Sequence, residues 1–216
     1  MNTLYWAIAL IPLAIYLLLI GAIHLRGRPL ITNGWRDMLT LGIACAGLIA
    51  IGPMQLFFPE HAGARWPGWV WLLMLGLYFL VLLMLILWSR PRLVAYGMLR
   101  DQFRDALLLA AQKIDPLAQW HGDVLTVPRP GLQLAIESTL SQRTHSVVCV
   151  AIPQDMALWL QLEQAFVVAA QGTRSTHSRL GWGLVTSGLL LLVLTIAPLI
   201  QDPDITYAQL KKFILR

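Results

Sequence analysis

Four uninterrupted apolar stretches, at 4–23, 38–58, 69–88 and 180–200, constrain this chain more than any other feature, because none contains Asp, Glu, Lys, Arg or His. Each reaches the roughly 20 residues that a helix needs to cross a ~30 Å hydrocarbon layer. No water satisfies backbone polar groups inside a bilayer, so such segments must close their own hydrogen bonds as helices. Composition agrees: 57% of residues are apolar and 12% charged, the latter about half the usual share for a soluble chain. Tyr5, Trp6, Trp66, Trp69, Trp71, Trp88 and Trp182 cluster near the ends of the stretches, where amphipathic rings favour the headgroup level. The three residues before the first stretch carry no basic side chain and the stretch is longer than a signal-peptide core, so it reads as a retained span.

Arginine and lysine set the orientation. If 24–37 and 89–179 share the inner side, all basic residues except Arg65, Lys211, Lys212 and Arg216 lie there. Counting only the flanks of the spans, Arg26, Arg28, Arg36, Arg90, Arg92, Arg100, Arg104, Arg174 and Arg179 still outnumber those four. The expectation is a multi-pass protein of a cell membrane, of bacterial inner-membrane type, with both termini outside and residues 90–179 in the cytoplasm. Cys45 falls in a span and Cys149 in a cytoplasmic strand, which leaves both as small buried hydrophobes instead of a disulfide pair. The formal charge of +5 does not mark a nucleic-acid partner. Residues 90–179 hold nine basic and seven acidic side chains, four of the basic ones being the membrane-flanking Arg90, Arg92, Arg174 and Arg179, and no basic footprint is left.

The predicted fold is four transmembrane helices with one small α+β domain inserted before the fourth. Its parts are a three-helix membrane region (1–89), the domain (90–179), the fourth span (180–200) and an amphipathic tail (201–216). Loop 24–37, with Pro29 and Gly34, reads as a tight turn between antiparallel helices. Tyr96, Leu99, Phe103, Leu107, Ala110, Ile114 and Leu117 recur at steps of three and four, which predicts a helix over 94–115. Strands are expected at about 122–127, from 132 to 137, and at 146–152, followed by a helix that Asp155 caps and Gly172 ends. The domain therefore reads α-β-β-β-α, a three-stranded antiparallel sheet covered by two helices. After Pro203, Ile205, Leu210, Phe213 and Ile214 fall near helical spacing beside Lys211, Lys212 and Arg216, which predicts a short helix docked on the bilayer or on a neighbouring subunit.

Chemistry-bearing motifs are sparse. His121-Gly122-Asp123 places an imidazole beside a carboxylate, but His145 and His177, the ligands that would complete a metal or base site, belong to other segments. Ser138, Ser141 and His145 lack an elbow or oxyanion signature. No nucleotide-loop, HExxH or EF-hand pattern occurs, so no catalytic, cofactor or metal residue is assigned. Gly42, Ala46 and Ala50, and separately Gly183 and Ser187, are spaced four apart, which lets helix backbones approach closely. Trp88, Arg90, Arg92, Arg174 and Arg179 are expected at the membrane interface.

Three functions follow as expectations. The first is a non-catalytic accessory or scaffold subunit of a larger membrane complex, in contact with lipid and with other copies or other subunits. The second is a membrane-tethered sensor whose domain binds a ligand or peptide near His121, Asp123 and His145. The third is a membrane-embedded, lipid-processing enzyme, which would require His24, Asp37 and His177 to converge.

Overall fold

A computed structural model describes residues 3–54, 56–57, 68–129, 131–137, 144–150, 156–173, 179–201 and 203–214. Its elements in chain order are α1 (Thr3–Leu25), β1 (Leu30–Asn33), α2 (Gly34–Ile49), α3 (Trp69–Trp88), β2 (Arg92–Tyr96), α4 (Arg100–Gln112), β3 (Gln119–His121), β4 (Val124–Val127), β5 (Leu132–Glu137), β6 (Thr144–Cys149), α5 (Met156–Gln171), α6 (Arg179–Gln201) and α7 (Pro203–Ile214). They form two compact units. One comprises Met1–Gly21, Met38–Trp88 and Trp182–Arg216, the other Ala22–Asp37 and Ser89–Gly181.

Among the described residues, four helices, which make up most of the first unit, are long and apolar enough to cross a membrane: Thr3–Leu25, Gly34–Met54, Trp69–Trp88 and Leu180–Gln201. Their outward residues are bulky hydrophobes such as Leu72, Leu73, Leu77 and Leu80 on α3, and Leu190 and Leu194 on α6. A helix apolar on all sides suits a membrane or the core of a large protein, and these side chains are exposed instead of enclosed by protein. Past Ile49, α2 continues as a π-helical turn over Ala50–Met54 that contains Pro53. Proline has no N–H to return to the preceding turn and its ring crowds that turn's carbonyl, so local widening relieves the clash. The predicted tail helix is present as α7. Its Gln209 side-chain oxygen accepts hydrogen bonds from Thr3 Oγ1 and from the Leu4 amide, both at 3.3 Å. The Leu4 N–H is one of the first-turn donors that α1 leaves open, so α7 caps α1 from the far end of the chain.

The second unit overturns the expected three-stranded sheet. The sheet has six strands in the order β1-β2-β6-β5-β4-β3, and every neighbouring pair is antiparallel. The three expected strands correspond to β4, β5 and β6, and three more flank them. β3 pairs with β4 across Gly122-Asp123, with Gly122 at φ 64°, as a two-residue hairpin with glycine first requires. β2 occupies 92–96, where helical periodicity predicts the start of a helix. Tyr96 keeps step with Leu99 and Phe103 by coincidence. The run Leu93-Val94-Ala95-Tyr96 pairs with β6 along its whole length, and Gly97 at φ 82° turns the chain before α4. Most unexpected is β1, which comes from loop 24–37. Leu30 to Asn33 pair with Tyr96 to Leu93, so the connection between the first two spans is an edge strand of the domain and not a bare turn.

Helices α4 and α5 cover one face of the sheet. Phe103, Leu107, Leu162 and Phe166 are fully buried against Leu93, Leu125, Leu134 and Val147. The Gln102 side chain accepts the free Leu99 amide at the start of α4 (3.3 Å). After α4, enclosed Asp115 ties two loops together. Its Oδ1 accepts the Leu117 amide at 3.1 Å and its Oδ2 the Arg129 amide at 3.0 Å. These two bonds, that from Arg129 foremost, hold its carboxyl below the ordinary value of 3.8. A carboxylate whose folded pKa is lowered contributes fully above the ordinary value and loses its contribution as pH falls through the folded one. Asp115→Ala is therefore expected to sensitise the domain to protease at pH 7, with the gap from wild type narrowing below pH 3.8. Limited proteolysis of the full chain across that range checks it, and a gap independent of pH would deny the carboxylate charge this role.

Candidate functional site

The polar residues of the second unit that sequence scatters most widely meet where segment 22–37 joins β2. Gly34 opens α2 directly against β2, so close that a methyl group there would strike the Arg92 side chain. This approach brings Asp37, in the first turn of α2, to the end of β2. The Tyr96 hydroxyl donates to Asp37 Oδ1 at 2.5 Å, and Arg92 Nη2 lies 4.0 Å from Oδ2. A negative side chain is also favoured at this position by the helix dipole. His24, at the end of α1, is buried and packs edge-on to the Tyr96 ring, with centroids 6.1 Å apart. Gly181 lies close to the His24 Cβ and the Leu25 side chain, which a methyl group there would meet at 3.1 and 3.0 Å. At the end of β1, Asn33 Nδ2 donates to Glu163 Oε2 of α5 at 2.6 Å.

Two of the three residues required by the enzyme reading, His24 and Asp37, thus meet on Tyr96, a residue which that reading did not include. His177 lies outside the described residues, as do Ser138 and Ser141. Sequence reasoning missed Tyr96, because a helical reading of 94–115 aims it at a helix–sheet core. The signal was the continuous apolar run before Gly97, whose length suits a strand better than a helix start.

The sensor residues do not converge. Asp123 is exposed in the β3–β4 turn, where Arg100 Nη2 donates to it at 2.8 Å and Arg104 Nη1 at 3.5 Å. Arg104 also donates to the Gly122 carbonyl at 2.9 Å and lies over the Trp120 ring. The His121-Gly122-Asp123 triplet is therefore a hairpin turn clasped by α4, with His121 exposed on edge strand β3. His145 is buried on β6 against Phe103, with ring centroids 5.6 Å apart. Buried side chains of the sheet and of both helices form one hydrophobic cluster between them. Among the described residues no group of His, Cys, Asp or Glu is arranged to hold a metal ion.

Within the first unit, the expected packing stripes have different fates. Gly42 sits against Leu82 of α3, and its carbonyl accepts the Tyr78 hydroxyl at 2.7 Å. Ala46 is half-buried and Ala50 buried. Gly47, not singled out by the four-residue spacing, makes the tightest approach: a methyl group there would collide with the carbonyl of Ile8 in α1. On α6 the close contact falls on Gly188, which abuts the Ala14 carbonyl and Leu18. Gly183 meets nothing within 4 Å, and the exposed Ser187 donates to the Leu184 carbonyl in its own helix. At the interface Trp88 and Arg90 are exposed, Arg92 is half-buried, Arg174 lies outside the described residues, and Arg179 is the first residue of α6.

Comparison with protein-family models, characterised proteins and solved structures finds no match to this chain.

Proposed function

We propose that the protein is a non-catalytic accessory subunit of a larger membrane assembly, presenting its α+β domain at one membrane surface. The observation that carries this reading is that one sheet takes strands from both 22–37 and 89–181, so the connection between the first two spans and the segment between the last two belong to one folded unit. The domain's polar side chains serve that construction. Tyr96 bonds Asp37, Asn33 bonds Glu163, and Asp115 holds two loop amides. The open side of α6, with Trp182, Gly183 and Ser187 exposed, offers a backbone that a neighbouring helix could approach. The distribution of arginine supports a reading with the domain in the cytoplasm and both termini outside a bacterial-type inner membrane.

Gentle extraction at native expression, followed by mass measurement of the intact complex, tests the reading. The expected result is a species heavier than the 24.1 kDa chain, lost or weakened in Gly183→Leu. A clean monomer without copurifying partner would overturn it.

A second reading, chemistry on a lipid at the membrane surface, is favoured by one observation, the meeting of His24 and Asp37 on Tyr96. It predicts that Asp37→Asn abolishes turnover of a lipid substrate while the domain stays folded. The accessory reading predicts no such activity to lose.

A further inference from the structure

The arginines of the domain are of two kinds. Arg100 and Arg104 pair with Asp123, and Arg92 lies beside Asp37. Arg26, Arg28, Arg36 and Arg90 are exposed, and among the described residues none of the four meets a carboxylate. Segments 22–37 and 89–92 together hold five arginines and a single acidic residue, Asp37.

Chain connectivity sets the height of these side chains. Arg26 directly follows the last residue of α1, with Arg28 two positions on, Arg36 lies in the first turn of α2, and Arg90 comes two residues after the end of α3. Each is within a few residues of the end of a helix long enough to span the bilayer, so each is held at or near the depth of the lipid phosphates. The Arg36 guanidinium carbon lies 5.2 Å from the centroid of the Trp35 ring, and Trp35 is itself 46% exposed. An aromatic face supports a guanidinium while leaving its edge donors free. A guanidinium edge matches two oxygens of a phosphate, as an ammonium does not.

We propose that Arg26, Arg28, Arg36 and Arg90, with Trp35, form a binding surface for the headgroups of anionic phospholipids. The occupant is lipid and not free phosphate, because the four guanidiniums are spread over three helix ends in the open instead of enclosing one anion. Anionic lipid is preferred over zwitterionic lipid, because the second has its own cation to neutralise its phosphate. This inference rests on the spanning helices alone and holds whether or not the protein has partner subunits.

The test uses the purified full-length chain in neutral detergent, with thermal unfolding followed as phosphatidylglycerol, phosphatidylcholine or inorganic phosphate is added. Phosphatidylglycerol is expected to raise the midpoint at far lower concentration than phosphatidylcholine, and phosphate at equal concentration to leave it unmoved. Each of R26Q, R28Q, R36Q and R90Q should weaken the apparent affinity for phosphatidylglycerol roughly fivefold, the ratio for one basic side chain near an anionic surface. R100Q, whose arginine is paired with Asp123, should not weaken it. If a variant fails to fold, salt on the wild-type chain decides, since screening tightens from about 10 Å at 0.1 M to about 3 Å at 1 M and should erase the preference. Equal responses to the two lipids, a response to phosphate equal to that for phosphatidylglycerol, or a preference that survives 1 M salt (about 3 Å screening) would each overturn the proposal.

Discussion

Phe103→Ala is expected to destabilise the domain by about 3–5 kcal/mol, the range for removing a fully buried aromatic ring. The ring is completely enclosed. It stands edge-on to Phe166 at a centroid separation of 5.4 Å and touches His145 on β6, so it joins α4, α5 and the middle of the sheet. The neighbours that would have to collapse into the space, Leu107, Leu134 and Leu162, are already packed. Since domains of this size hold only about 5–15 kcal/mol in total, the loss takes a large share of the margin. Hydrogen exchange on the full chain should show faster exchange across β2, β6 and α4, with the spanning helices unaltered. Unchanged protection in β6 would mean that Phe103 does not anchor α4 to the sheet.

Gly47→Leu is expected to be the most disruptive change in the membrane unit, and Gly183→Leu to be nearly silent in the isolated chain. At Gly47 even a Cβ overlaps the Ile8 carbonyl. The obstacle is backbone, which cannot rotate aside, so α1 and α2 must separate. Overpacking of this kind costs about 1–3 kcal/mol, and the upper end is expected where backbone is struck. At Gly183 nothing lies within 4 Å, and exposed substitutions of that sort usually stay within about 0.5 kcal/mol. The two variants, compared by yield of monodisperse protein and by thermal midpoint in detergent, should differ clearly. Equal behaviour would contradict the close contact of α1 with α2. The pair also separates two uses of glycine, because Gly183→Leu is expected to matter only when a partner helix is present.

The difference between these two glycines could not be read from spacing. Gly42, Ala46 and Ala50 form a regular stripe, yet the tightest backbone contact of α2 falls one residue beyond Ala46, at Gly47. On α6 the contact falls on Gly181 and Gly188, not on Gly183 and Ser187. Spacing shows which residues share a helix face, but not which face a neighbouring helix occupies. β1 was hidden for a different reason. Leu30-Ile31-Thr32 between Pro29 and Asn33-Gly34 has the composition of a short strand. A strand of four residues is stable only beside another, and its partner β2 lies more than fifty residues away.

What the sequence alone determined are the features that arise within one segment. The absence of charge across each apolar stretch forces helices, the alternation over 132–137 makes a strand, and the residues after Pro203 form the helix α7. What only the tertiary structure decided are the features that need two distant segments. These are the recruitment of loop 24–37 into a six-stranded sheet, the strand at 92–96 in place of a helix start, and the meeting of His24, Asp37 and Tyr96. The physical reason is that a helix satisfies its hydrogen bonds locally, whereas a strand borrows its partners from elsewhere in the chain. A buried polar side chain likewise depends on whichever segment the fold brings beside it.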